Sequence, residues 1–309
     1  MIKLKIPFGF GTWITLFSCF FMLSILIENT NQVLSLRLTY SSYIYLIIAV
    51  LIGMISIYVN GLAWNEMLAW MSSKRISSNH LINLYVRTNL LKYLPGGIWH
   101  FVARLRTLGL IMDKGLSFKA VIFEPLLMVS VALIFVPLGQ WKSGLSLILF
   151  LPSMFIFTKW LEPVLEKIGS IKFTSLSNIV PEFKDYDYKL NSFTKRDKYP
   201  IRPFLIESLF ILIRFSGFNL CLYAFELEYS ASVLATLSAF SLAWSIGLVV
   251  PAAPGGIGVF ESAFLFQLPS DVPKGAFIAV LVSYRLVVTL SDLLAGIIAN
   301  LTKQKLSTS

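Results

Sequence analysis

Histidine and cysteine are almost missing from this sequence: 309 residues contain two of each. The histidines are His80 and His100, and both cysteines, Cys19 and Cys221, fall inside apolar runs. Zinc on His and Cys ligands is therefore not expected, no disulfide framework follows, and a Ser-His-Asp arrangement has little to draw on. No GxxxxGK[ST] loop occurs, so nothing marks a Walker-type nucleotide site. No cofactor and no metal are expected. Charge is scarce as well: Asp, Glu, Lys and Arg make up 14% of the chain, against about 25% in soluble domains.

Apolar residues take the space that charge leaves. They make up 56% of the chain, and the mean hydropathy is +0.76. This composition is that of an all-α integral membrane protein, here a single membrane domain over 1–309. Apolar runs near 8–27, 43–65, 117–137, 143–161, 203–225, 231–250 and 275–300 approach the roughly 20 residues that a spanning helix needs. The first lacks a small-residue cleavage site and reads as a signal anchor.

The charge that remains is mostly positive, net +10. Lys3 and Lys5 precede the first run, Lys74 and Arg75 follow the second, and Lys303 and Lys305 follow the last. A polar stretch at about 162–200 adds Lys167, Lys172, Lys184, Lys189, Lys195, Arg196 and Lys198. Basic residues stay on the cytoplasmic side. The expectation is a bacterial inner membrane protein with both termini and the 162–200 loop inside, its basic surface facing anionic lipid and not nucleic acid. Seven spans cannot return both termini to one side, so an eighth crossing is needed, giving about 7–8 transmembrane helices.

One phrase occurs twice. "YLPGGIWHF" places Pro95, Gly96 and Gly97 in a row, and "VPAAPGGIGVF" places Pro251, Pro254, Gly255, Gly256 and Gly258. Such residues break helices. Pro95 and Pro254 stand 159 positions apart, and Lys114–Gly115 recurs as Lys274–Gly275. Segment 43–65 then matches 203–225, and 117–137 matches 275–300. By the charge count the matched segments cross in opposite senses. The reading is an inverted duplication, with repeat 1 at about 43–137 and repeat 2 at about 203–300. Each copy inserts a broken, re-entrant helical hairpin at its PGG. Transporters use discontinuous helices of this kind to expose backbone groups to a polar substrate near the midplane.

Ionisable residues also interrupt the apolar runs: Glu124, Glu207 and Arg214, Glu261, and Arg285 and Asp292. Arg87, Asn89, Arg104 and Arg106 flank the first PGG. A charge at the membrane centre costs at least about 2.5–3.5 kcal/mol on insertion scales, so such residues pair or serve a function. Arg285 and Asp292, like Glu207 and Arg214, are seven apart and share a helix face. They are expected to pair with each other or with charges on neighbouring helices. Guanidinium forks suit phosphate, which makes the arginines an anion-binding environment, and Tyr93, Trp99 and His100 are candidates for lining it. "GGIG" at 255–258 has no βαβ context for a nucleotide. Asp185–Tyr186–Asp187 matches a D-x-D pattern for metal and sugar nucleotide, but in a loop of about 40 residues, below the roughly 50-residue floor for a domain.

"RTNLLKYLPGGIWHFVARLRTLG", the run carrying Glu124, "VPAAPGGIGVFESAF" and "SYRL" together resemble the lysylphosphatidylglycerol synthase transmembrane region. That family includes the flippase part of the multiple peptide resistance factor. The resemblance covers about 40–300, and P-x-x-P-G-G-x-G-x-x-E at Pro251 to Glu261 is its most specific part. Where the family has further glycines this chain has Ile98, Trp99 and His100, and where it tends to have Glu-Arg this chain has Glu124–Pro125. The resemblance implies lipid translocation or related lipid handling. At matching positions Asn89, Pro95, Gly96, Gly97, Arg104, Glu124, Pro251, Pro254, Gly255, Gly256, Gly258, Glu261 and Arg285 carry it. The larger relatives' synthase domain is not expected after Ser309, and neither is lipid aminoacylation.

The expectation is thus a flippase-like protein for an anionic phospholipid or lipid-linked sugar, more transporter than enzyme. Arg87, Arg104 and Arg285 neutralise phosphate, Asn89 lies beside them, and Glu124 and Glu261 orient the arginines. The alternatives are a membrane glycosyltransferase using a polyprenyl-phosphate sugar, with Glu261 or Asp185 as its carboxylate, or an accessory subunit of a lipid- or glycan-synthesising enzyme. Membrane lipids are the expected partners, with a glycosyltransferase or a second copy of the chain as possible protein partners.

Overall fold

The computed structural model describes residues 27, 38–72, 78–94, 98–139, 199–227, 231–250, 258–268, 272 and 274–307. Apart from Ile27, Tyr199 and Pro200, the segments 8–27, 143–161 and 162–200 lie outside these residues, and so does Asp185. Pro95, Gly96, Gly97, Pro251, Pro254, Gly255 and Gly256 lie outside them too. The described residues are helical throughout, without strands. Lipid offers the backbone no hydrogen bonds, and a helix meets that demand within one segment.

The helices are α1 (Tyr40–Met71), α2 (Ser78–Asn89), α3 (Trp99–Ile111), α4 (Lys114–Ile134), α5 (Ile201–Ala224), α6 (Val233–Val249), α7 (Val259–Leu265) and α8 (Lys274–Ser307). Short 3-10 turns extend α2 at Leu90–Tyr93 and follow α4 at Val136–Leu138. Four stretches are long and apolar enough to cross a membrane: Tyr40–Met71, Lys114–Leu138, Ile201–Ala224 and Lys274–Thr302. They account for the runs at 43–65, 117–137, 203–225 and 275–300. The run at 231–250 forms a shorter helix of 17 residues, about 25 Å long at 1.5 Å per residue and short of a bilayer core of about 30 Å.

Local signals set the helix starts. Thr39 and Ser42 form a reciprocal cap before α1, with the Thr39 amide donating to Ser42 Oγ at 3.0 Å. The Asp113 side chain accepts the Leu116 amide at 3.0 Å to open α4, and Ser232 accepts the Ala235 amide at 3.2 Å to open α6. Each satisfies one of the donors that a helix N-terminus leaves over. The two Lys-Gly pairs found in the sequence are both helix starts, at α4 and α8. Their spacing of 160 residues also separates the starts of α3 and α7.

Helices distant in the sequence pack across one another. α1 and α5 run antiparallel: Tyr45 meets Tyr223 with ring centroids 6.2 Å apart, and further in Gly217 lies against the Ala49 carbonyl. α8 lies along α1 where Ser291 faces Gly53, and the Ser291 hydroxyl donates to the Val50 carbonyl at 2.9 Å. Gly296 of α8 receives Leu90. On the other side α6 meets the end of α4, where the Ser238 hydroxyl donates to the Val136 carbonyl at 2.6 Å. Small residues at crossings let membrane helices approach closely.

Two large apolar cores result, with a smaller one of Ile57, Val86, Ala295 and Ala299 where α1, α2 and α8 meet. Trp64, Tyr85, Leu105, Phe123 and Phe210 join α1 to α5. Phe218, Phe240, Phe264, Phe277 and Tyr284 join α5 to α8, with Phe218 5.1 Å from Phe264 and edge-on to Tyr284 at 5.4 Å. The outer faces carry exposed Ile47, Leu51 and Ile55 on α1, Leu205 and Leu209 on α5, and Leu286, Leu290 and Ile297 on α8. This is the surface a bilayer covers, and the protein is an integral membrane protein.

A methyl group on Gly53 falls 2.2 Å from Ser291 Oγ and 2.8 Å from its Cβ. Overpacking of this kind costs about 1–3 kcal/mol. Gly53→Ala is therefore expected to lower the unfolding midpoint of the detergent-purified protein, and adding Ser291→Gly is expected to raise it again; an unchanged midpoint for Gly53→Ala contradicts this packing.

Candidate functional site

α8 carries two of the ionisable residues that interrupt apolar runs, Arg285 and Asp292. They lie two turns apart, about 10 Å along the axis, and each finds its partner on a different element. Asp292 is fully buried and holds three groups. Lys92 Nζ lies 2.6 Å from its Oδ2, the Tyr93 hydroxyl donates to the same oxygen at 2.6 Å, and Arg214 Nη2 donates to Oδ1 at 3.3 Å. Lys92 and Tyr93 come from the last turn before the first PGG, and Arg214 from the middle of α5. One carboxylate thus joins the turn that extends α2 to two long helices.

Arg285 pairs instead with Glu261, through Nε and Oε1. Glu261 stands in the first turn of α7, just after the second PGG, and its other oxygen accepts the Gly258 amide at 2.7 Å. Gly258 has φ +83°, a left-handed conformation that a side chain disfavours, so glycine is required for the chain to turn back into α7 with this amide aimed at the carboxylate. The Arg285 guanidinium lies 5.1 Å over the Phe260 ring.

A second ion pair ties the first half together. Arg104 of α3 pairs with Glu124 of α4. Its Nε donates to Thr88 Oγ1 at 3.0 Å, and its guanidinium lies 3.8 Å from the Tyr85 ring centre and 5.7 Å from that of Trp64. In both cases, then, the short helix that follows a PGG is bound to the long helix after it by an Arg–Glu pair. The charges are exchanged: the arginine is on the short helix in the first half and on the long helix in the second.

Of the residues singled out from the sequence, Arg104, Glu124, Glu261 and Arg285 are brought into these pairs. Arg87 and Asn89 are half-buried on α2, and Arg87 Nε reaches the Asn83 carbonyl at 3.3 Å. Gly258 takes part as described, and the remaining PGG residues lie outside the described residues. Neither same-helix pairing forms: Arg285 and Asp292 partner other elements, and Glu207 does not pair with Arg214. Lys92, Arg214 and Asp292 were absent from the binding set drawn from the sequence, and Tyr93 stood there only as a candidate lining residue. The signal for Arg214 and Asp292 was their place inside apolar runs, and for Lys92 its place three residues before Pro95.

The cluster around Asp292 is rich in positive charge. Lys92 is in electrostatic contact with Asp292, Arg214 and Arg285, so three cations face the two carboxylates of Asp292 and Glu261. Arg214 Nη1 is buried and has no hydrogen-bond partner. Lys92 and Arg285 keep 23% and 24% of their side chains exposed while both carboxylates are enclosed. The accessible side of the cluster is therefore its cationic side, suited to a phosphate or another anion. Among the described residues no group of His, Cys, Asp and Glu could hold a metal ion.

Removing one member of a buried charge cluster costs about 3–5 kcal/mol, because its partners are left unpaired. Asp292→Asn is expected to lower the thermal midpoint sharply, and Asp292→Asn with Arg214→Met is expected to melt above Asp292→Asn alone; the reverse order contradicts the cluster.

A search of curated proteins gives no match to the chain. A comparison with protein families does, and the matched stretch, residues 10–296, includes both breaks and both Arg–Glu pairs. The chain belongs to the lysylphosphatidylglycerol synthase TM region family.

Proposed function

We propose that the protein moves an anionic lipid headgroup, of a phospholipid or a lipid-linked sugar, between the leaflets of the membrane. The headgroup is taken by Lys92, Arg214 and Arg285. Two inverted copies of one helical unit supply the path, each with a broken hairpin reaching the cluster, and both termini lie on the cytoplasmic side. The single observation that carries this reading is the surplus cation, with the unpartnered Arg214 Nη1, held among residues from both sides of the two breaks. The antiparallel course of α1 and α5 and the common 160-residue spacing of helix starts support the inverted copies.

Arg104 is only 1% exposed and is engaged by Glu124, which favours a bracing role for it over contact with the lipid. Both oxygens of Glu261 are engaged as well, which favours binding over catalysis at this carboxylate.

The test is translocation of fluorescent anionic and zwitterionic lipids in proteoliposomes. A hydrogen bond to a charged group is worth about 1.5–3 kcal/mol, or roughly tenfold or more in rate. Lys92→Gln and Arg214→Gln are each expected to slow the anionic lipid by about that factor and to leave the zwitterionic lipid unchanged. Wild-type rates in both variants overturn the reading.

A further inference from the structure

Glu207 takes no part in the site above. It sits on α5 at 2% exposure, its Oε1 has no hydrogen-bond partner, and it belongs to none of the ion pairs among the described residues. Among the described residues the titratable groups in electrostatic contact with it are Glu124 of α4 and Tyr85 of α2; α1 and α6 bring none against it, and α8 commits Asp292 to Arg214 further along α5. Glu124 is itself bound to Arg104 of α3, so the carboxylate facing Glu207 already holds the guanidinium on this side, and Glu207 is left with a like charge and no described cation.

We propose that Glu207 is a proton-binding site through which lipid movement is coupled to a proton gradient, an inference that rests on the translocation reading. The step is the binding of one proton from water to the carboxylate, with no change of oxidation state. The added proton removes a buried charge that no described cation neutralises and that the Glu124 carboxylate opposes. When the proton leaves, the ionised Glu207 repels the Glu124 carboxylate that holds Arg104. That pair binds α3 to α4, so the state of charge at Glu207 acts on the contact between those two helices.

Infrared spectroscopy of the reconstituted protein tests the site apart from transport. The wild type is expected to show the carbonyl stretch of a protonated carboxylic acid at neutral pH. Glu207→Gln loses that band, and Glu207→Asp keeps it at a shifted frequency. An imposed pH gradient is expected to change wild-type lipid translocation at least fivefold, and Glu207→Gln runs at one rate with or without the gradient. A wild type without the band, a band that persists in Glu207→Gln, or an equal response of Glu207→Gln to the gradient overturns the proposal. The band with no lipid movement in any protein supports the proton site and removes the translocation reading instead.

Discussion

The ion pairs of this bundle answer to one constraint: a charge withdrawn from water must meet an opposite charge or a donor close by. Asp292 meets it for Lys92, Tyr93 and Arg214 together. Its desolvation is tolerable only because three groups converge on two oxygens. The same convergence fixes geometry, since those groups reach α8 from the turn that extends α2 and from α5. In a membrane, where apolar contact gives little preference for one helix neighbour over another, such a hub specifies which elements lie side by side. The aromatic packing of Phe218, Phe264 and Tyr284 then fills the space that the charges define.

The two Arg–Glu pairs repeat that logic on a smaller scale. A helix of seven residues, α7, has little stability of its own. Glu261 holds it at both ends of one carboxylate, to Gly258 within the turn and to Arg285 across to α8. α3 is longer and also buries Val102, Leu105 and Leu108, with Arg104 adding its ion pair. Each pair binds the short helix that follows a PGG to a spanning helix.

Much of this was legible in the sequence. The four long spans follow from apolar length, and the Lys-Gly repeat marks the starts of α4 and α8. The membrane class, the family and the pairing role of Glu124 and Glu261 toward arginines all follow from residues that can be quoted. The partners were less legible. A seven-residue spacing places Arg285 and Asp292 on one face, yet at two turns apart each is nearer to charges on other helices than to the other. Helical periodicity reports which face a residue occupies and nothing about what another chain segment brings to it. For the same reason periodicity did not mark Lys92, the partner of a residue 200 positions away. The run at 231–250 has the composition of a span but not its length, because Ser232 caps it at one end and the helix stops at Val249.

Pro125 stands inside α4, immediately after Glu124. It has no amide hydrogen, so the Val121 carbonyl loses its helical donor and the ring crowds that turn. α4 therefore bends most cheaply at the residue that anchors Arg104, while the rest of this well-enclosed helix stays stiff. A mechanical soft point and an electrostatic anchor therefore coincide on α4, at the residue that holds α3.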